Sequence, residues 1–138
     1  MAARSRSLLA CLGLLVLSAC AHAPAHAPEH RSPLLGTWVG ESQNAAGSAF
    51  EFREDGTATW RLGQPFEIRY RVDDPLAPAH LDLFGFQTGP LKERTLYCLI
   101  ELADDRLRMD CEPSERPGSL NPEQTQVFLR TESEDPAP

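Results

Sequence analysis

The chain has 138 residues, enough for one domain of ordinary size, and a formal charge of −7. Twenty acidic and eleven basic residues follow position 20, so the part after that position carries a formal charge of −9. An acidic domain without a basic stripe argues against binding to nucleic acid and against docking on anionic lipid by charge.

The first predicted element is a lipoprotein signal peptide at residues 1–19. Two arginines precede an apolar run at 8–17 that is too short to span a membrane. The run ends in the letters LSAC, which resemble the lipobox of bacterial lipoproteins and imply cleavage before Cys20 and acylation of that residue, for example with palmitate. Several acyl chains on one cysteine make a stable anchor. We therefore expect a protein that is attached to a membrane of the bacterial cell envelope through Cys20, the outer membrane rather than the inner one if the cell has both. The alternative is an ordinary secretory signal followed by a chance cysteine.

Residues 20–33 are predicted to be the acylated cysteine and a linker rich in alanine, proline and histidine. Proline at this density favours an extended chain of about 3.1 Å per residue, so the linker reaches about 40 Å at most. His22, His26 and His30 recur every four residues, which raises the question of metal binding. The prolines exclude the helix that would bring such a pair onto one face, so a plain spacer is the favoured interpretation.

Residues 34–131 form the predicted domain, in which apolar and polar residues alternate with period two and no convincing helical stretch occurs. The predicted strands are 34–41, 48–53, 57–62, 66–73, 80–84, 95–103, 106–112 and 124–131. Strands at this spacing with one apolar face indicate an all-β sandwich or barrel. Eight strands suffice to close a barrel, which removes both sheet edges. Residues 132–138 are predicted to be an acidic tail.

The stretch 95–112 predicts a β-hairpin that turns at Asp104-Asp105. In that register Cys98 faces Cys111 as a non-hydrogen-bonded pair with Cα atoms about 4.5 Å apart, near the short end of the range that a disulfide tolerates. Cys11 is removed with the signal peptide and Cys20 is acylated, so these two cysteines remain as an even pair in an oxidising compartment. We predict a Cys98–Cys111 disulfide. A metal site would need further ligands, and no histidine lies near either cysteine in sequence.

A second hairpin is predicted around Glu54-Asp55-Gly56. A three-residue loop with glycine in the left-handed conformation fits this sequence best. It pairs Phe50 with Trp60 and Phe52 with Ala58 on one face, whereas a two-residue loop would bring Thr59 opposite Phe52.

The order of short motifs along 34–131 resembles that of small lipocalin-like (calycin-type) domains, which are mostly bacterial and often secreted or lipid-anchored. These motifs are Leu35-Gly36-Thr37-Trp38, FREDGT at 52–57, Tyr70-x-x-Asp73 before Leu81-Asp82-Leu83, the alternating stretch 99–107 that ends near Cys111, Arg116-Pro117, and Arg130 at the end of the last strand. The resemblance implies an eight-stranded up-and-down antiparallel barrel without established catalytic residues. The chain lacks the C-terminal helix and the long lid loops of long lipocalins, which leaves little room for a large cavity.

No constellation for catalysis is recognisable, and we predict that the chain is not an enzyme and needs no cofactor. His80 and Asp82 alternate on one strand, and we expect both to lie on its solvent face. Adjacent acids at a hairpin tip, such as Asp104-Asp105, are usually turn formers. The sequence contains no phosphate-binding loop, HExxH motif or CxxC motif.

Two non-enzymatic functions remain open. In the first, aromatic side chains line a pocket for a small apolar ligand such as a lipid; they are Trp38, Phe50, Trp60, Phe66 and Tyr70, with Phe52 beside them. In the second, the core is filled and the loops of the barrel bind a protein partner or inhibit an exported enzyme. Because the inward aromatics are bulky, we expect at most a shallow pocket at one mouth, near Gly40, Gly47 and Gly85, with Trp60 and Tyr70 in contact with the ligand.

Overall fold

The computed structural model describes residues 31–73 and 78–132. The predicted signal peptide at 1–19, Cys20, most of the linker and nearly all of the acidic tail therefore lie outside the described residues. In the described ranges, no helix has both the length and the apolar character needed to cross a membrane.

Eight antiparallel strands form a closed barrel in which each strand pairs with its sequence neighbours and the last pairs with the first. They are β1 (Gly36–Gly40), β2 (Ser48–Phe52), β3 (Thr57–Leu62), β4 (Gln64–Asp73), β5 (Ala79–Phe84), β6 (Leu96–Ala103), β7 (Arg106–Glu112) and β8 (Gln126–Thr131). One short 3₁₀ turn, Gln43–Ala45, lies between β1 and β2. The predicted all-β, eight-stranded up-and-down antiparallel barrel is confirmed, although β1 and β8 each begin two residues later than predicted.

Both predicted hairpin registers are confirmed. β2 and β3 pair Phe50 with Trp60 and Phe52 with Ala58. Gly56 in their loop has φ 79°, the left-handed conformation that glycine adopts without steric cost. β6 and β7 pair Glu101 with Arg108, and the Arg108 Nη1 donates to Glu101 Oε2 at 2.8 Å.

The predicted disulfide joins Cys98 to Cys111 on the inward face of the β6–β7 hairpin. The Cα atoms are 4.1 Å apart. Cys98 is completely buried, and Cys111 is partly buried against the core. The bond therefore ties two neighbouring strands together inside the wall of the barrel.

The middle of the barrel is filled by a column of aromatic rings. Phe50 stacks on Phe52 at 5.3 Å and on Trp60 at 5.2 Å between ring centroids. Phe128 meets Phe50 edge-on, and Tyr70 meets Phe52 in the same way. An eight-stranded interior is just wide enough to be filled by side chains. The largest fully buried side chains are Trp38, Phe50, Phe52, Phe128, Leu34, Leu81, Leu83, Ile100, Leu107, Met109 and Cys98.

The two ends of the barrel carry different segments. At one end, called the entry end, residues 31–35 lead into β1, and the β2–β3 and β6–β7 turns lie beside them. The opposite end, called the loop end, carries residues 41–47, Gly63, 85–95 and 113–125.

The entry end is closed by a contact between the first and last strands. The Arg130 guanidinium carbon lies 4.2 Å from the centroid of the Trp38 ring, which is a cation–π contact. Arg130 also donates to the carbonyl oxygens of Leu35 and Pro33. The Trp38 indole N–H donates to the Leu34 carbonyl at 2.7 Å, and Leu34 is fully buried. These bonds hold residues 33–35 across the entry end.

Asp82 points outward from β5 but is buried, so the prediction that it faces solvent is wrong. Only 7% of the surface of Asp82 is exposed to solvent. One carboxylate oxygen accepts from Arg71 at 2.7 Å and the other accepts from Arg116 at 2.5 Å. Arg116 also donates to the carbonyls of Cys98 and Leu81. Arg116 therefore covers Asp82 and fastens the β7–β8 loop to the outer wall, while His80 stays partly exposed.

The stability of the barrel should depend on the ionisation of Asp82 in acid. Burial acts to raise the pKa of this carboxyl, but the hydrogen bonds and charges of Arg116 and Arg71 outweigh burial and hold the pKa below its ordinary 3.8. A carboxyl with a lowered folded-state pKa stabilises the fold above its unfolded pKa, and this contribution is lost as the pH falls through the folded value.

We therefore expect Asp82→Asn to reduce stability at neutral pH and to flatten the loss of stability below about pH 4. Urea unfolding at several pH values, followed by circular dichroism, measures both effects. Asp104→Asn, at the exposed β6–β7 turn, is the control for the loss of one carboxylate charge and should leave the stability at neutral pH within about 0.5 kcal/mol of the wild type. Identical pH profiles for wild type and Asp82→Asn would contradict this assignment.

Candidate apolar site at the loop end

A small apolar pocket lies at the loop end, between the β3–β4 turn and the β5–β6 loop. Its volume is about 160 Å³. It is lined by Trp60, Leu62, Phe66, Phe86, Thr88, Gly89, Pro90 and Leu91. A cavity of about 150 Å³ accommodates a molecule such as benzene, so this pocket fits one ring or the end of an alkyl chain.

Trp60 and Phe66 belong to the barrel wall and are held there by the core. They are cross-strand partners in β3 and β4, which the turn at Gly63 joins. The Trp60 indole N–H donates to the hydroxyl of Ser48 at 2.8 Å, and Ser48 is itself buried. With the stacking of Trp60 on Phe50, this bond fixes the orientation of the indole and leaves part of it at the pocket.

The remaining wall of the pocket comes from the β5–β6 loop. Phe86 is buried, and its ring meets Trp60 edge-on with 6.2 Å between centroids. The loop is closed on itself by a hydrogen bond from the Glu93 amide to the Phe86 carbonyl, and the Arg94 amide donates to the Leu91 carbonyl. The wall opposite the barrel is thus formed by a loop with its own backbone hydrogen bonds.

The lining of the pocket is mostly apolar, and one of its residues reaches the surface. Leu62 is 54% exposed although it lines the pocket. Three cations that are close to the lining residues in sequence, Arg61, Lys92 and Arg94, are exposed, but none of them belongs to the lining. The pocket therefore suits an apolar group.

The structure brings two of the five predicted ligand-contacting residues into this pocket. Trp60 and Phe66 line it, whereas Trp38, Phe50 and Tyr70 do not. Trp38 and Phe50 are fully buried in the core. Tyr70 lies towards the entry end, where its hydroxyl donates to the Arg53 carbonyl at 2.7 Å.

Among the pocket residues that sequence reasoning missed, the large apolar ones are Leu62, Phe86 and Leu91. Leu62 stands just before the turn glycine, and the other two stand in a loop that is otherwise polar or turn-forming. Apolar residues at positions that no strand pattern explains are the feature of the sequence that indicates this part of the pocket.

The predicted space at Gly40 is occupied by the chain itself. A Cβ atom built on Gly40 would lie 1.9 Å from the carbonyl oxygen of Ala45. Glycine at this position therefore admits the 3₁₀ turn, which buries Ala45 against the core and covers part of the loop end.

A broader concavity at the entry end fits a structural role better than a binding role. It has a volume of about 630 Å³ and is lined by three arginines among other residues. Each arginine already has a partner: Arg31 pairs with Glu54, Arg53 with Glu67, and Arg130 with the backbone carbonyls described above. Because all three guanidinium groups already have partners within the fold, we assign this concavity a structural role.

The described ranges contain no group of three or more His, Cys, Asp or Glu side chains that could hold a metal ion.

No protein-family model, curated protein or solved structure matches the chain.

Proposed function

We propose that this protein is a membrane-anchored envelope lipoprotein whose lipocalin-like barrel binds a small apolar ligand at its loop end. The observation that carries the proposal is the concave apolar pocket formed by Trp60, Phe66 and the β5–β6 loop. Concave sites lined by aromatic and aliphatic side chains are the usual form of small-molecule binding sites.

The size and the apolar lining of the pocket limit the class of ligand. With its middle filled, the barrel admits only one ring or a chain end, so most of a longer ligand would lie outside the wall. A small aromatic molecule or the alkyl end of a fatty acid satisfies both conditions.

The position of the pocket is compatible with an anchor at Cys20. The described chain reaches the barrel at the entry end, and the pocket lies at the loop end. A tether that approaches the entry end leaves the pocket open to ligands in the aqueous space of the envelope.

The second candidate function is a protein-interaction or inhibitor module with a filled core and no small-molecule ligand. The filled aromatic column favours it, as does the small volume of the pocket, which would accept a single apolar side chain of a partner. A titration with a free amphiphile distinguishes the two functions, because only the first predicts saturable binding.

Titration of the full mature chain with decanoate, followed by tryptophan fluorescence, tests the proposal. We expect saturable micromolar binding that Trp60→Ala and Leu62→Ala each weaken by about fivefold to tenfold, because each change removes apolar contact area worth about 1 kcal/mol. Leu129→Ala is the matched control, since Leu129 is also an exposed strand leucine but does not line the pocket. Because Trp60→Ala removes part of the fluorescence signal, calorimetry should accompany it. Absence of saturable binding in the wild type would leave the protein-interaction module as the better proposal.

The anchor gives a separate prediction at Cys20. Cys20→Ser should abolish acylation and move the protein from the detergent phase to the aqueous phase in a phase-separation experiment. Cys11→Ser, inside the apolar run of the signal peptide, is the matched control and should leave acylation intact. Continued partition of the Cys20→Ser variant into detergent would show that another element attaches the protein to the membrane.

A further inference from the structure

A second cavity, called the acidic cleft, lies at the loop end between β7 and the β7–β8 loop. Its volume is about 420 Å³. It exists because pairing of β7 with β8 stops at Met109 and Gln126, while β7 itself continues to Glu112. Residues 110–112 therefore face the β7–β8 loop on the side where a strand would otherwise pair.

Hydrogen bonds hold the loop that forms the far wall of the cleft. The Asn121 amide donates to Asp110 Oδ2 at 2.5 Å. The Asn121 carbonyl accepts from the amides of Gln124 and Thr125 and from the Thr125 hydroxyl. Arg116 fastens the same loop to the outer wall through Asp82. The cleft is therefore preformed and does not depend on a ligand for its shape.

The lining of the cleft is polar and negatively charged. Six of its nine residues have polar side chains, and the set is Met109, Asp110, Cys111, Glu112, Pro117, Ser119, Asn121, Gln124 and Gln126. Two are carboxylates and none is a lysine or arginine. Neither Asp110 nor Glu112 forms an ion pair within the described residues.

One of these carboxylates is incompletely satisfied. Asp110 Oδ1 is buried and has no hydrogen-bond partner, although Oδ2 is bonded to Asn121. A buried acceptor without a partner is unfavourable, and more so when it is charged. A cation in the adjoining cleft would offset this charge through space.

We propose that the acidic cleft binds an organic cation, a guanidinium or ammonium group. The two carboxylates provide the charge, and the side-chain oxygens of Ser119, Asn121, Gln124 and Gln126 can accept hydrogen bonds from its N–H groups. The volume lies within the range of small-molecule sites, about 300–1,000 Å³. The carboxylates repel anions, and the described residues contain no group of three or more His, Cys, Asp or Glu side chains that could hold a metal ion. The proposal is independent of the apolar pocket and extends beyond it.

Amide chemical-shift mapping of the ¹⁵N-labelled full mature chain, titrated with agmatine at low salt, tests this proposal. Agmatine carries both a guanidinium and an ammonium group, and butylurea serves as its neutral counterpart. We expect saturable shifts at residues 109–112 and 119–126 with agmatine, and none with butylurea. Glu112→Gln should weaken agmatine binding about fivefold and Asp110→Asn at least as much, since each removes one uncompensated charge.

The control variant is Glu115→Gln, which changes an exposed acid of the same loop that does not line the cleft. It should leave the affinity within about twofold of the wild type. Glu112 is exposed, so its substitution tests the proposal even if Asp110→Asn disturbs the loop. Equal binding of butylurea, an affinity unaffected by Glu112→Gln, or the same shifts produced by calcium chloride alone would each overturn the proposal.

Discussion

Replacing Trp38 by alanine should lower the free energy of unfolding by about 3–5 kcal/mol, the usual cost of truncating a buried aromatic residue. Trp38 is completely buried in the core. Truncation would also remove the hydrogen bond to the Leu34 carbonyl and the ring beneath the Arg130 guanidinium. Since small domains have only about 5–15 kcal/mol of stability, the variant should be close to unfolding.

Denaturant unfolding followed by far-ultraviolet circular dichroism measures this loss. Val39→Ala is the matched control, because Val39 is the next residue of β1 and is 42% exposed. It should change stability by less than about 0.5–1 kcal/mol. Equal losses for the two variants would contradict the view that Trp38 and Arg130 close the entry end.

Removing the disulfide should lower the unfolding free energy by about 3 kcal/mol. The bond joins residues separated by 13 positions, and a cross-link of that length restricts the unfolded chain. Cys98→Ala combined with Cys111→Ala avoids placing a hydroxyl in the buried position of Cys98. For a domain of about 100 residues, this loss corresponds to a melting temperature lower by about 10–20 °C.

Thermal melting of the double variant and of reduced wild type should give similar midpoints, both below that of the oxidised protein. Non-reducing peptide mapping of the exported protein should recover a peptide that links Cys98 to Cys111. Two free thiols in the exported protein, or a melting temperature unchanged by reduction, would contradict a stabilising disulfide.

Short-range features of the fold could be predicted because hairpins are local. The two-residue turn at Asp104-Asp105 and the glycine of the β2–β3 loop fix the cross-strand partners on either side of them. Period-two alternation then assigns each side chain to one face of the sheet. The disulfide and the aromatic column follow from those two constraints.

The contacts that the sequence does not predict connect segments that are far apart in the sequence. Asp82 alternates with apolar residues as a solvent-facing position would, and only the return of the β7–β8 loop brings Arg116 over it. The acidic cleft has the same origin, because it depends on where β7 and β8 stop pairing. A sequence pattern does not specify how a loop of this length packs on the wall.

Of the five residues predicted to contact a ligand, only Trp60 and Phe66 line the apolar pocket. Alternation shows which residues point inward, and Trp60, Phe66 and Tyr70 all do so. It does not show how deep a residue lies or at which end of the barrel, so the sequence does not separate Tyr70 from Trp60, although Tyr70 lies near the entry end. The β5–β6 loop, which supplies Phe86 and Leu91, has no periodicity from which to predict its fold.

Native mass spectrometry of the full chain, extracted from the membranes of its own cells, tests the proposed ligand binding most directly. A covalent anchor on Cys20 survives denaturation, whereas a ligand in the apolar pocket is released, so the two added masses are distinguishable. We predict a small apolar molecule that is bound to wild type and to Leu129→Ala, and that occupies a smaller fraction of Leu62→Ala. A chain that carries no small molecule and instead copurifies with a stoichiometric protein partner would contradict the proposed function.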